Sequence, residues 1–280
     1  MFPFAPLPAL QAVADATTTL RVTQLVLAAD FRHPAVLAKE LATVDVLSGG
    51  RLEVGIGAGW KQEEFEQAGI AFDKASVRIE RLEEYTIVLK GLFGEPPFRF
   101  AGTHFTVSEL DGTPKPVQRP RPPIMIGGGG PKVLTVAARQ ADIVQILPST
   151  ARGKPDERHP LTNAAIQRQV DLVREAAGDR FDDIELGALL MNVTITDDAG
   201  PVLDDLLVAF TSTGEDGGPR PGLSREELAA APLVAVGTLE EVCEKLLEVR
   251  ETLGFSYFVS PVGARPEVLG PVIERLAVIS

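Results

Sequence analysis

Cysteine is nearly absent: Cys243 is the only one in 280 residues, beside three histidines and a single tryptophan. One thiol cannot close an intrachain disulfide, and it cannot supply a zinc or iron–sulfur cluster. No two histidines have metal-pair spacing. His33 precedes a proline at a helix start, His104 falls in a short hairpin and His159 in a polar loop, so no metal site is expected. Long apolar runs are missing too. Nowhere do apolar residues continue for the ~18 positions of a membrane span, and MFPFAPLPALQAVADA has no basic residues ahead of its apolar ones. The expectation is a cytoplasmic protein with no membrane partner. Positive charge is the scarcer sign, 27 Lys and Arg against 39 Asp and Glu, for a net charge of −12. That is the reverse of a nucleic-acid binder's footprint. A phosphorylated cofactor remains admissible, because backbone N–H groups at a helix N-terminus hold an anion without formal charge.

What is present is an alternation. Residues 6–16 carry helical spacing and lead into RVTQLVL (21–27), rich in β-branched and Leu residues as a strand requires. HPAVLAKELATVDVLS repeats apolar residues at i, i+3 and i+4 and stops at Gly49 and Gly50, a helix C-cap signal. The strand RLEVGIGAGW (51–60) follows. The same rhythm predicts helices over 76–93, 131–140, 163–177, 239–253 and 266–277, and strands over 123–128, 141–147, 184–196 and 255–261. Six strands alternating with helices imply a parallel sheet covered by helices. FRFAGTHFTV (98–107) alternates like a hairpin and runs into the proline-rich TPKPVQRPRPP, which cannot be helical. STGEDGGPRPG (212–222) reads as a polar loop or insertion.

Ligands of parallel α/β folds sit at the C-terminal ends of the strands. Those ends are Val26–Asp30, Gly57–Trp60, Gly127–Gly130, Leu147–Ser149 and Ser260–Pro261. Four consecutive glycines, Gly127, Gly128, Gly129 and Gly130, follow an apolar strand and precede Pro131, whose fixed φ suits the first turn of a helix. Bare backbone at the positive end of that helix can close on a phosphate. A tight turn needing positive φ once or twice is the competing explanation. Gly55, Gly57 and Gly59 share one strand face, where they admit something flat or relieve crowding inside a barrel. Trp60 either walls a planar ring or fills the core rim. Glu63 and Glu64 stand in a first helical turn, where carboxylates favour the dipole regardless of function. No Ser, His, Asp set stands out, so hydrolysis is a weak reading. A borrowed redox cofactor fits better, since it would bring the chemistry with it.

Several segments resemble the luciferase-like monooxygenase superfamily, in particular its members using coenzyme F420, from about residue 5 to the C-terminus. They are ATTTLRVTQLVLAADFRHPAVLAKELATVDVLSGGRLEVGIGAGWKQEEFEQAGIAFD (16–73), RIERLEEYTIVLKGLF (78–93), FAGTHFTV, PKPVQRPRPPIMIGGGG and AARQADIVQI. The resemblance implies a (β/α)8 TIM barrel with a flavin or deazaflavin at its C-terminal mouth. It implies a non-proline cis peptide within Val22–Val26, which makes Thr23, Gln24 and Leu25 ring contacts. Gly57, Ala58, Gly59 and Trp60 would border the ring or its tail, Gly127–Gly130 would bind the cofactor phosphate, and Leu147 to Ser149 would line the same groove. Family members open with a βαβ unit that has no counterpart here, so the expectation is a single domain over 1–280 lacking the first two strands, with insertions near 95–122 and 200–235. The catalytic residue is then unassigned; with a genuine start the edge at 21–27 is expected to be covered by a homodimer partner or another chain, and with a mis-assigned start about 45 further residues are expected to complete the barrel. The expected activity is hydride transfer between F420 and a small organic substrate. The alternatives are an FMN-dependent monooxygenase and a non-catalytic relative that binds cofactor or partner.

Overall fold

Pro6 and Pro8 open the first helix, α1 (Pro6–Ala16), where a missing N–H costs nothing. Its last carbonyls are held by Arg51, which donates to the Ala14 carbonyl at 2.7 Å, to the Leu20 carbonyl at 2.8 Å and to Thr17 Oγ1 at 3.0 Å. The expected strand 21–27 is shorter than the apolar run suggests. Val22 makes a single parallel bridge to Leu52, and regular pairing resumes only at β1 (Leu27–Ala28). Between them the Leu25–Val26 peptide is cis, as the resemblance implies. The Gln24 carbonyl there lies against Gly55, so the segment crosses its neighbour where it would otherwise pair with it.

The computed structural model describes residues 4–148, 161–211, 222–261 and 266–277. The chain divides into two compact units, Met1–Gly127 with Thr135–Val144, and Gly128–Leu134 with Gln145–Ser280. In the first, α2 (Pro34–Leu47) is capped by His33, whose Nδ1 accepts from the Ala35 N–H at 3.2 Å. After it come β2 (Val54–Gly57), α3 (Gln62–Gln67) and α4 (Ala75–Phe93), the hairpin β3 (Phe98–Ala101) and β4 (Thr106–Leu110), then β5 (Ile124–Gly128), α5 (Pro131–Gln140) and β6 (Ile143–Ile146). The strand order in this unit is β1-β2-β5-β6. Leu27 registers with Ile56, and Ile56 with Ile126, both pairings parallel. Leu37, Leu41, Leu52, Ile56, Leu82, Tyr85 and Leu89 are fully buried, the arrangement expected of strands covered by helices.

Two carboxylates pin the irregular segments of this unit. Asp45, with no exposed surface, accepts from the backbone N–H groups of Val117 and Gln118 and from the Gln118 amide, and so fastens the proline-rich stretch to α2. Glu84 on α4 accepts from the successive N–H groups of Thr103, His104 and Phe105 at 2.7, 2.8 and 3.1 Å and locks the hairpin turn.

The second unit contains α6 (Asn163–Ala177), β7 (Glu185–Leu189), β8 (Asn192–Ile195), α7 (Ala199–Thr211), α8 (Arg225–Ala230), β9 (Val234–Gly237), α9 (Leu239–Leu253), β10 (Phe255–Val259) and α10 (Pro266–Ala277). In it β7 and β10 pair in parallel. The single strand expected over 184–196 is two. Leu190 N–H bonds the Val259 carbonyl while Met191 N–H bonds that of Leu233, so the chain changes partners at this point and β8 pairs with β9. The expected insertion at 200–235 likewise holds regular structure. Gly200 and Pro201 lie in the first turn of α7, where proline is tolerated, and a reciprocal Ser224–Glu227 capping box starts α8. Most of the polar stretch 212–222, along with Ser149 and His159, lies outside the described residues. Leu190, Val193, Ala235, Val242, Cys243, Leu246 and Val272 pack into one cluster, which places the lone thiol in apolar surroundings. Among the described residues no helix is long and apolar enough to cross a membrane, and no group of three or more His, Cys, Asp or Glu could hold a metal ion.

Candidate functional site

In the first unit the candidates gather at the end of β2. A Cβ at Gly55 would collide with the Gln24 carbonyl, and one at Gly57 with Val26. At Gly55 and Gly57 the glycine stripe therefore makes room for the chain's own segment. Gly59 has φ +72° and sits against the Phe65 ring. Next to it, Trp60 is 71% exposed at the strand end. The carbonyls of Ala58 and Gly59 accept from Arg78 Nε at 3.2 Å and Nη2 at 3.4 Å. Arg78 also donates to the Asp73 carbonyl, and its guanidinium lies 3.8 Å over the Phe72 ring. Arg81 bridges Asp30 and Asp73. A buried cation and its carboxylates thus fix the loop after β2, while Glu63 and Glu64 stay on the first turn of α3, where they complement its dipole.

Thr23 and Gln24 bear on the same unit. The Thr23 hydroxyl and both amide atoms of Gln24 are buried without a hydrogen-bond partner among the described residues. Leu25 beside them is 38% exposed. Buried polar atoms are nearly always paired, so three unpaired ones in adjacent residues set this segment apart from its regular neighbours.

The glycine run begins in β5, whose last two residues are Gly127 and Gly128, and continues through Gly129 and Gly130. Leu147 N–H donates to the Gly128 carbonyl at 3.1 Å, Gln169 Nε2 to the Gly129 carbonyl at 2.7 Å, and Leu134 N–H to the Gly130 carbonyl at 3.1 Å. None of Gly127–Gly130 has a left-handed φ. The tight-turn explanation therefore fails for these glycines. Gly128 is accounted for by packing, since a Cβ there would strike Val133. At Gly130 a Cβ would meet nothing within 4 Å. Neither φ nor the chain's own packing calls for glycine at that position, which directly precedes α5. Leu147 and Pro148 are half-buried at the end of β6, as are Ser260 and Pro261 after β10.

Two residues of this architecture were not read from the sequence, Arg78 and Gln169. Each carries a recognisable signal, a polar residue on an apolar helical stripe: Arg78 in line with Leu82, Tyr85 and Leu89, and Gln169 among Ile166, Val170 and Val173. A polar side chain in such a stripe must find partners indoors, and here the partners are carbonyls at strand ends.

Parallel strands, covering helices and a bare glycine loop ahead of a helix define an α/β protein. The chain belongs to the luciferase-like monooxygenase family, whose model matches residues 1–256. It is 31% identical over 176 residues to an FMNH2-dependent dimethylsulfone monooxygenase of Pseudomonas putida, a match covering 63% of this chain and 45% of that one. Among solved structures it resembles the coenzyme F420-dependent tetrahydromethanopterin reductase of Methanopyrus kandleri (TM-score 0.74, 19% identity, 96% of this chain and 86% of that one). It also resembles the EDTA monooxygenase of Chelativorans sp. BNC1 (TM-score 0.73, 19% identity, 99% and 77%). At those identities the structural likeness establishes the fold, a parallel α/β sheet of the luciferase-like barrel type. The chain spans less than half the length of the curated relatives it matches.

Proposed function

We propose that this chain is an oxidoreductase that binds a phosphate-bearing flavin or deazaflavin, with the phosphate at Gly128–Gly130. The observation that carries this reading is Gly130. Its carbonyl is tied to Leu134, its φ is ordinary and the space beside it is open, so its lack of a side chain serves something outside the chain. The loop carbonyls already have donors, which leaves the N–H groups of Gly129 and Gly130 for an anion at the positive end of α5. The residues fit such a group without a formal positive charge, as glycine nests do.

When bound, F420 exchanges a hydride with a small organic substrate, whereas reduced FMN gives two electrons to dioxygen, one oxygen atom entering the substrate and the other leaving as water. Hydride transfer with F420 is the reading supported by the motif segments. The FMN reading is favoured by one specific observation, the relative from Pseudomonas putida, which is described as FMNH2-dependent. The chain's own task under either reading is to hold two reactants in register.

Titration of the purified chain with FMN, F420 and riboflavin, followed through Trp60 emission and cofactor fluorescence, tests the proposal. The phosphate-bearing cofactor is expected to bind at least about tenfold tighter than riboflavin, roughly 1.4 kcal/mol. Equal affinity for FMN and riboflavin, with no binding of F420, would remove the phosphate role. The ratio of FMN to F420 affinity chooses between the two cofactors.

A further inference from the structure

Gln169 is 8% exposed on α6, and its single NH2 group donates to two carbonyls at once, that of Gly129 at 2.7 Å and that of Leu147 at 2.9 Å. The amide orientation follows from these partners, because the reversed amide would set its oxygen against two carbonyl oxygens. The side-chain oxygen is buried without a partner among the described residues, so the NH2 contacts are what hold this glutamine in place. They join the loop after β5 to the segment after β6, beside the Leu147 N–H bond to the Gly128 carbonyl.

We propose that Gln169 is a positioning residue for the anion-accepting loop, fixing the direction of the N–H groups that face the phosphate; this rests on the phosphate reading given above. The reason is peptide planarity. In a trans peptide the N–H points opposite to the C=O of the same unit, so fixing the Gly128 and Gly129 carbonyls fixes the Gly129 and Gly130 N–H directions. Leu147 sets the first of these peptide units and Gln169 the second. The second also leads into Pro131, which has no N–H of its own, so the Gly130 N–H is the last backbone donor before α5. Loss of the tether leaves that peptide free to rotate, and the loop then presents one aligned donor where it presented two. The effect belongs to the phosphate and not to the ring, since Gln169 reaches only carbonyls of the loop and of Leu147.

The experiment compares wild type, Gln169→Leu and Gln169→Ala in titrations with FMN and with riboflavin, beside thermal melting without ligand. Leu keeps the volume and removes the donors, while Ala admits water to satisfy the carbonyls if Leu does not fold. Removing an outer partner that orients binding groups costs about 10- to 100-fold at metal sites. Here FMN affinity is expected to fall by about tenfold, with riboflavin affinity within about twofold of wild type. A folded variant that keeps the wild-type ratio of FMN to riboflavin affinity overturns the positioning role and leaves the phosphate reading intact. A wild-type chain that binds FMN and riboflavin equally and does not bind F420 overturns the phosphate reading itself, and the role of Gln169 with it. A variant that weakens both ligands equally makes Gln169 a structural residue only.

Discussion

Gly130 occupies the position just before α5, where Asp, Asn or Ser would ordinarily stabilise the helix by accepting a backbone N–H. Glycine gives up roughly a few tenths of a kcal/mol of that gain, and among the described residues nothing uses the space. Gly130→Asp is therefore expected to fold at least as well as wild type, with a melting temperature unchanged or raised, because the carboxylate can cap the helix. The same carboxylate would occupy the donors meant for a phosphate and repel it, so FMN affinity should drop more than about tenfold. Calorimetric titration and a melting curve on one preparation read both effects, and undiminished affinity would speak against the loop as an anion site. Gly128→Asp is the poorer test, although it is the one the sequence suggests. A side chain there would strike Val133, so a loss of binding could not be separated from a disturbed loop.

Among the elements, β5 and β6 are joined at their starts by Asp142, which accepts from Arg121 through both oxygens and from the Ile124 N–H at 2.7 Å. Burial pushes its carboxyl pKa up, but Arg121 and the Ile124 N–H outweigh that and hold it below the ordinary carboxylate value. With a depressed folded pKa, the contribution to stability is present above the unfolded value of about 4 and is lost as pH falls through the folded one. Melting temperatures of wild type should fall toward acid pH in that window. Asp142→Asn is expected to melt lower at neutral pH and to show a flatter acid limb; an unchanged slope would place the acid sensitivity elsewhere.

The helices read from the sequence were legible because apolar spacing came with end signals, such as Pro34 with Gly49 or Pro131 after the glycine run. The strands over 123–128 and 141–147 were legible as short apolar runs between turns. Three features were not. The run 21–27 looks like uninterrupted strand because composition does not reveal that Gln24 crosses over Gly55. Residues 184–196 look like one strand because a change of hydrogen-bonding partner at Leu190 and Met191 leaves no mark in side-chain character. Helix α7 was hidden by Gly200 and Pro201, which punctuate loops and first helical turns alike. At the candidate site the glycines were legible as glycines, but which of them the chain's own packing explains depended on contacts with Val26, Phe65 and Val133, residues distant or unremarkable in the sequence.

Over the whole molecule, a net charge of −12 opposes the approach of a phosphate dianion at long range. Screening over a Debye length of about 8–10 Å at physiological salt weakens that opposition without reaching the short bonds inside the loop. Association of FMN is therefore expected to speed up as ionic strength rises from about 0.01 to 0.15 M, with dissociation changing little. Stopped-flow recording of Trp60, the chain's only tryptophan, measures both rates. A rate that falls with salt would reveal a local cationic attraction stronger than the overall charge.

The strand ends in both units share one arrangement whose consequence is electrical. Parallel strands end in carbonyl oxygens, the negative poles of peptide dipoles. After β2 those poles at Ala58 and Gly59 face the guanidinium of Arg78, and after β5 and β6 those at Gly129 and Leu147 face the amide of Gln169. Each helix thus reaches in to cancel the negative pole and leaves the positive pole of the same peptide uncompensated. The local potential at these ends is shifted toward positive by rearranged dipoles and one buried cation, a shift that acts against the chain's overall negative charge.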